Sequence, residues 1–152
     1  MLKNNVLKIK LAKTKKELEQ ILNIRETVFI KGQKVPKNRE LDGLDNSAKH
    51  VIVTYKGRAI GCARIRFIHN KAKLERIALL KKYRGKGFGK QIVEYLIKYC
   101  KRKNPKESVM HAQYYLKNFY DKCGFKKRGR IFIDAGIRHI EMYMTLKNKK
   151  NI

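Results

Sequence analysis

The sequence predicts an α+β domain with a mostly antiparallel, twisted central sheet flanked by helices. Two observations lead to this prediction. Runs of alternating or β-branched apolar residues recur between turn signals, as is typical of strands. Apolar residues at spacings of three and four mark two longer helices between them. The resulting order of elements is β, α, loop, β, β, β, α, β, α, β, β.

The length of 152 residues suits one domain, since domains commonly contain about 100 to 150 residues. We expect this domain to span residues 1–146 and to be followed by a polar tail, 147–152. The first residues lack the apolar run of a signal peptide, and no stretch approaches the roughly 18 apolar residues of a membrane span. We therefore expect a cytoplasmic protein without membrane contact.

The composition is strongly basic. There are 39 lysines and arginines against 12 acidic residues, a formal charge of +27. Such a charge attracts any polyanion, so non-specific nucleic-acid contact is an expected property. The three cysteines, Cys62, Cys100 and Cys123, form no CxxC pair, and no histidine stands at metal-ligand spacing. We predict no metal site.

The chain opens with a predicted strand at residues 6–11. Thr14 and Glu17 then form a capping-box pattern, which is typical of a helix start. Arg25 lies beside the apolar stripe of this helix, where it either points at a site or closes the edge of the core. One predicted helix face carries the following residues: Leu18, Ile21, Leu22, Arg25, Val28 and Phe29.

Residues 31–50 have weak periodicity, which predicts a long loop with about one helical turn. Three of the twelve acidic residues, Glu40, Asp42 and Asp45, lie within this loop. Their negative charge suits a cationic amine substrate. Salt bridges to surrounding lysines are the alternative.

The next three strands are predicted to form an antiparallel meander. Residues 50–55 and 58–68 are joined by a hairpin turn at Lys56–Gly57. A second turn at Asn70–Lys71 leads into an apolar strand over residues 74–80. This strand runs into a basic, glycine-rich loop and then into a helix.

That loop is the most informative stretch of the chain. Glycines at 85, 87 and 89 expose backbone amides just before a helix, where the amides have no intrahelical partner and an anion is favoured. Arg84, Lys86 and Lys90 add positive charge. The spacing fits neither a Walker loop nor GxGxxG. A polyphosphate ligand is therefore expected.

After the long helix, Asn104–Pro105 ends the helical pattern, and residues 108–113 form a short buried strand. A short helix over residues 115–123 ends at Gly124. Two last strands, 126–132 and 137–146, complete the sheet. We expect residues 137–146 to be an exposed edge that can pair with a second copy, so the protein is predicted to be a monomer or homodimer.

The loop pattern Arg-x-x-Gly-x-Gly resembles the pyrophosphate loop of the GNAT superfamily of acyl-CoA-dependent N-acetyltransferases, and the segment NFYDKCGF resembles its tyrosine helix. RETVFIKGQKVPKNRELD, LERIAL, HAQ and GIRH resemble the ElaA-like branch. The resemblance covers most of residues 25–142. Gly32 and Arg138 depart from the branch, which has Glu and Pro there.

The resemblance implies the GNAT fold and acetyl-CoA as cosubstrate. Tyr120 would donate a proton to the leaving thiolate, and Asn118 would hydrogen-bond the pantetheine arm. The backbone of Ile77, Ala78 and Leu79 would pair with pantetheine like an added strand. The pyrophosphate would be held by residues of the glycine-rich loop: Arg84, Gly85, Lys86, Gly87, Phe88, Gly89 and Lys90.

The implied reaction is direct transfer of the acetyl group to a primary amine of a small molecule or protein. The amine must lose a proton, so a base is required. Glu75 is the first candidate because it shares strand parity with Ile77, and two histidines are alternatives. The substrate side is predicted to comprise Arg25, Gln33, Glu40, Asp42, Asp45, His111 and His139.

A basic RNA-binding or ribosome-associated module without catalysis is the alternative function. It predicts exposed aromatic residues interleaved with basic ones on one face. In this chain most phenylalanines occupy apolar positions of predicted elements. Acetyl-CoA and oligonucleotides should therefore differ in how far they stabilise the protein at moderate salt.

Overall fold

The computed structural model describes residues 7–146, so Val6 and the predicted tail lie outside the described residues. It confirms a mostly antiparallel seven-stranded sheet flanked by helices, with strand order β1-β2-β3-β4-β5-β7-β6. The strands are β1 (Leu7–Leu11), β2 (Lys49–Tyr55), β3 (Arg58–Ile68), β4 (Lys71–Leu79), β5 (Glu107–Gln113), β6 (Lys126–Asp134) and β7 (Ile137–Thr145). The helices are α1 (Lys15–Arg25), α2 (Lys37–Glu40), α3 (Phe88–Arg102) and α4 (Lys117–Lys122).

The chain forms two compact units. The first comprises the described residues up to Ile65 together with Arg76–Ile92, and the second comprises Arg66–Glu75 with the described residues from Val93 onward. One domain over residues 1–146 stays a prediction. Among residues 7–146 no helix is long and apolar enough to cross a membrane. The cytoplasmic location also stays a prediction.

In the first unit, β2 pairs antiparallel with β1 and with β3. The predicted hairpin turn is confirmed: Lys56 and Gly57 have φ of 52° and 78°, as a two-residue turn between twisted strands requires. The apolar core of this unit joins α1 to the sheet and contains Ile21, Ile24, Val28, Ile52, Cys62 and Ala78.

The capping box at the start of α1 is confirmed. The backbone N–H of Glu17 donates to Thr14 Oγ1 over 3.1 Å, and the N–H of Thr14 donates to Glu17 Oε1 over 3.1 Å. The predicted apolar face is partly wrong, because Leu18 and Leu22 are exposed. The buried face is centred on Ile21, Ile24 and Arg25, and Leu18 and Leu22 flank it.

The helix also continues differently from the prediction. Residues Glu26–Gly32 form a π-helical segment directly after α1. A π-helix has wider turns than an α-helix, so the spacing of three and four does not continue unchanged beyond Arg25. The predicted helical turn in the following loop is α2.

In the second unit, β4 pairs parallel with β5 from Lys71 opposite Glu107 to Leu74 opposite Met110. The turn before β4 falls at His69–Asn70, one residue earlier than predicted, and both residues have positive φ. The prediction that residues 137–146 form an exposed edge is wrong, because β7 pairs with β5 on one side and with β6 on the other. The edge strand next to β7 is β6.

Candidate active site

The glycine-rich loop begins where β4 ends. The N–H of Leu80 donates to the carbonyl of Ile60 over 2.9 Å, which fixes the start of the loop to β3. A 3₁₀ turn follows at Lys81–Tyr83. Arg84 Nε donates to the carbonyl of Leu79 over 2.8 Å, so the Arg84 side chain also ties the loop back to the end of the strand.

Gly85 and Gly87 give the loop its open backbone. Their φ values are 80° and 85°, and a Cβ at either position would meet nothing within 4 Å. Glycine is therefore favoured at both positions because of the left-handed backbone conformation, and not because a side chain would clash with neighbouring atoms. Lys86 and Lys90 are exposed beside them. The loop presents backbone and positive charge at the start of α3, a 15-residue helix, as an anion site requires.

Aromatic packing anchors this loop. The Phe88 ring lies 5.1 Å from the Tyr55 ring between centroids, and Tyr83 lies 6.2 Å from Tyr55. The Phe88 side chain, predicted to contact the cosubstrate, thus holds the first turn of α3 against β2. Tyr55 could not be found from the sequence, because nothing in the loop motif points to the end of a distant strand.

Arg76 interrupts the extended backbone of β4. Its φ is 53°, a conformation that is uncommon for a non-glycine residue and costs about 1 to 3 kcal/mol. In the described chain, the register of β4 with β5 runs only from Lys71 to Leu74, so Ile77, Ala78 and Leu79 lie beyond it. Glu75 and Ile77 were predicted to point to the same side of the strand. This prediction is wrong, because the left-handed residue between them breaks the alternation of side chains.

The acidic loop forms a charge network in the first unit. Arg25 is 1% exposed and contacts Glu40 at 2.5 Å and Asp45 at 2.8 Å. Arg64 binds Asp42 through both terminal nitrogens, at 2.9 and 2.8 Å, and contacts Asp45 at 2.9 Å. A third arginine, at position 76, also joins the network, so three arginines balance three carboxylates.

This network bears on the predicted substrate side. Glu40, Asp42 and Asp45 are each paired with an arginine, and contact of these carboxylates or of Arg25 with an amine substrate stays a prediction. Salt bridges, the alternative expectation, are observed with arginines in place of lysines. Gln33 follows the π-helical segment and is partly buried.

The network should make the protein sensitive to acid. Hydrogen bonds from Arg64 hold the pKa of Asp42 well below its usual range. Burial would raise the pKa of Asp45, but hydrogen bonds from Arg25 and Arg64 outweigh burial and lower this pKa. A lowered folded-state pKa stabilises the protein above the unfolded pKa of about 4, and the stabilisation is lost as pH falls through the folded value.

We expect the free energy of unfolding to fall as pH decreases from about 5. The variant Asp42→Asn should be less stable at pH 7 and should show a shallower pH dependence, because one of the shifted carboxylates is gone. Urea unfolding at a series of pH values measures both effects. Glu26→Gln, at an exposed carboxylate, is the control, and equal slopes for Asp42→Asn and wild type would contradict the prediction.

Tyr120 lies on α4 in the second unit. It is 5% exposed, and its ring centroid is 5.0 Å from that of Phe119 and 6.2 Å from that of Phe125. Gly124 ends this helix with φ of 102°, as predicted. Burial raises the pKa of Tyr120 above its usual value of 10, so the hydroxyl stays protonated at neutral pH. Asn118 is exposed on the same helix.

The three candidate bases have different surroundings within the second unit. Glu75 accepts hydrogen bonds from Arg66 Nε at 2.7 Å and Nη2 at 2.8 Å. His111 Nε2 lies 3.3 Å from Glu141 Oε1. His139 Nδ1 lies 2.7 Å from the carbonyl oxygen of Ile137.

Phe132 brings the two histidines together. Its ring centroid is 5.2 Å from that of His111 and 5.7 Å from that of His139, with the latter pair stacked at 23°. Neither Phe132 nor Glu141 was among the residues predicted for the site. The pairing of the last two predicted strands was the signal that could have found Phe132. In the folded chain Phe132 lies directly opposite His139 across β6 and β7.

The comparisons identify the family. Residues 14–146 match the acetyltransferase (GNAT) domain family. Over 137 residues the chain is 34% identical to YjcF, an uncharacterised N-acetyltransferase of Bacillus subtilis, which covers 90% of this chain and 98% of that protein. The crystal structure of Escherichia coli ElaA has a TM-score of 0.83 at 22% identity and covers 91% of this chain and 99% of its own.

A further solved structure is a GNAT family acetyltransferase from Elizabethkingia anophelis with acetyl-CoA bound. It has a TM-score of 0.74 at 18% identity and covers 92% of this chain and 98% of its own. The chain belongs to the GNAT acetyltransferase family, and it is similar to ElaA, as the sequence motifs predicted. Its general reaction class is acyl transfer from an acyl-CoA.

Proposed function

We propose that the protein transfers an acetyl group from acetyl-CoA to a primary amine of a small molecule or protein. The observation that carries the proposal is the loop at the start of α3, where Gly85 and Gly87 are left-handed and open. Family membership supports the same reaction class. The RNA-binding alternative has no support from the comparisons.

The residues present fit the donor. The open amides of residues 85–90, with the positive charges of Arg84, Lys86 and Lys90, would hold the diphosphate. The backbone of Ile77–Leu79 and the side chain of Asn118 would hold the pantetheine arm. When bound, acetyl-CoA supplies an acetyl group activated as a thioester.

Tyr120 would act as the general acid. In the reaction a C–N bond forms between the amine and the acetyl carbon, the C–S bond breaks, and the departing sulfur requires a proton. The buried phenol stays protonated at neutral pH, so it carries the proton that the departing sulfur requires. The rings of Phe119 and Phe125 pack beside the Tyr120 ring, which is largely removed from solvent.

His139 is the preferred base among the three candidates. A carbonyl oxygen only accepts hydrogen bonds, so the contact between Nδ1 and Ile137 places the proton on Nδ1. The neutral ring then keeps a lone pair on Nε2, which can take a proton from the attacking amine. Glu75 is instead held by Arg66, and His111 lies beside Glu141.

Replacing His139 with glutamine should lower kcat about 100-fold and leave the KM for acetyl-CoA nearly unchanged. The reason is that only the proton acceptor is lost, and the donor site is intact. Steady-state kinetics with a saturating amine measures both constants. His69→Gln, at an exposed turn, is the matched control. A larger loss in Glu75→Gln than in His139→Gln would reverse the assignment.

A mass-spectrometric screen tests the function itself. Purified protein is incubated with acetyl-CoA and a panel of polyamines, amino sugars, antibiotics and peptides, and products 42 Da heavier mark the acceptors, since acetylation replaces one hydrogen with an acetyl group (roughly 42 Da). Thermal shifts with acetyl-CoA and with oligonucleotides at moderate salt separate the two function classes. A shift with oligonucleotides alone would refute the proposal.

A further inference from the structure

Among the described residues of β4, Arg76 has a left-handed backbone conformation, with φ of 53°. It directly precedes Ile77, Ala78 and Leu79, whose backbone the proposed function assigns to pantetheine. We infer that Arg76 is a positioning residue for the cosubstrate: its side chain, held by Glu40 and Asp42, maintains the backbone turn that orients these three residues. The inference rests on the proposed function.

The Arg76 side chain is held from several directions. Its Nε lies 2.7 Å from Glu40 Oε1, and its Nη2 donates to the carbonyl of Glu40 over 2.8 Å. Nη2 also contacts Asp42 Oδ2 at 3.2 Å. The guanidinium group is therefore ion-paired with the Glu40 side chain and hydrogen-bonded through Nη2 to the Glu40 carbonyl and to Asp42.

The partners of Arg76 are themselves fixed. Glu40 is 3% exposed, and its other carboxylate oxygen binds Arg25. Asp42 is held by two nitrogens of Arg64, a residue with a fully buried side chain. Because Glu40 and Asp42 each have a second, buried arginine partner, both carboxylates are fixed in position and can hold Arg76 in place.

The backbone of β4 is fixed on both sides of the three residues. At the Arg76 end, the carbonyl of Arg76 accepts a contact from Cys62 Sγ at 3.5 Å. At the far end, the N–H of Leu80 donates to Ile60. Between them, Gly61 allows close approach, because a Cβ there would lie 2.8 Å from the Ala78 carbonyl oxygen. Arg76 thus controls one end of a short, otherwise anchored segment.

Two parts of the cosubstrate should respond differently to the loss of Arg76. CoA contains both a diphosphate and a pantetheine arm, whereas ADP contains a diphosphate without pantetheine. If Arg76 orients Ile77–Leu79, its loss weakens binding of the pantetheine arm and leaves the diphosphate site at residues 84–90 intact. A general loss of structure would weaken both ligands alike.

The test measures the affinity of CoA and of ADP by calorimetry for wild type and Arg76 variants. Arg76→Met removes the guanidinium, and Arg76→Gly removes it while tolerating the positive φ. Both should weaken CoA binding about tenfold, as the loss of one or two hydrogen bonds predicts, with ADP affinity within about twofold. Arg76→Lys should restore part of the CoA affinity, since it keeps the charge but not the planar group.

Arg58→Met, at an exposed arginine on β3, is the control and should bind both ligands like wild type. Hydrogen exchange of residues 77–80 gives a second measurement, and CoA should protect these amides less in the Arg76 variants. Unchanged CoA affinity, or equal losses for CoA and ADP, would overturn the role of Arg76. Failure of the wild-type protein to bind CoA would instead refute the proposed function.

Discussion

Tyr120→Phe should lower kcat about 1,000-fold while the KM for acetyl-CoA stays within about twofold. The hydroxyl is the proposed proton donor, and the rest of the ring is retained. Because Tyr120 is 5% exposed among aromatic rings, removal of one oxygen should not disturb the packing of α4. Steady-state kinetics and a thermal midpoint on the same preparation measure activity and folding.

Tyr115→Phe is the matched control. Tyr115 lies two residues before α4 begins and is 69% exposed, so loss of its hydroxyl should leave kcat unchanged. The pH profile gives a second check: because burial raises the pKa of Tyr120 above 10, kcat should show no alkaline decline from this group up to about pH 10. Full activity of Tyr120→Phe would remove Tyr120 from the reaction.

The same raised pKa predicts an effect on stability. The folded state retains the Tyr120 proton at pH values where the unfolded chain releases it. The unfolded state then binds fewer protons, so the free energy of unfolding falls as pH rises above about 10. Tyr120→Phe lacks this group and should lose less stability there.

Most of the fold could be predicted because its signals are local. The capping box at Thr14, the hairpin turn at Lys56–Gly57 and the glycine that ends α4 each depend on a few neighbouring residues. The order of strands in the sheet is not local. Residues 137–146 looked like an edge from sequence, but their pairing with both β5 and β6 depends on contacts between distant parts of the chain.

The candidate site likewise has a part that local sequence predicts and a part that depends on contacts between distant residues. The loop at residues 84–90 was recognisable, since glycine and arginine spacing carries its geometry. The roles of the acidic loop were not, because Arg64 and Arg76 lie far from it in sequence and neutralise it only in the folded chain. The left-handed conformation of Arg76 has no sequence signal either, since the residue is neither glycine nor asparagine.

Gly87→Val should weaken CoA binding at least about 100-fold, or about 2.7 kcal/mol. A Cβ at position 87 would meet nothing within 4 Å. The valine side chain would therefore extend into the space that the diphosphate needs beside the backbone amides. A β-branched residue also resists the left-handed conformation that Gly87 adopts with φ of 85°. Calorimetry with CoA and with ADP measures the effect, and both ligands should bind more weakly because both contain the diphosphate.

Gly57→Val separates strain from loss of the ligand site. Gly57 has φ of 78°, and a Cβ there also meets nothing within 4 Å, so the two substitutions strain the backbone to a similar degree. The thermal midpoints of both variants should therefore fall by similar amounts. Only Gly87→Val should lose affinity for CoA, because only its side chain enters the anion site. Equal CoA affinity in the two variants would mean that residues 84–90 do not hold the diphosphate, and the assignment of the donor to this loop would fail with it.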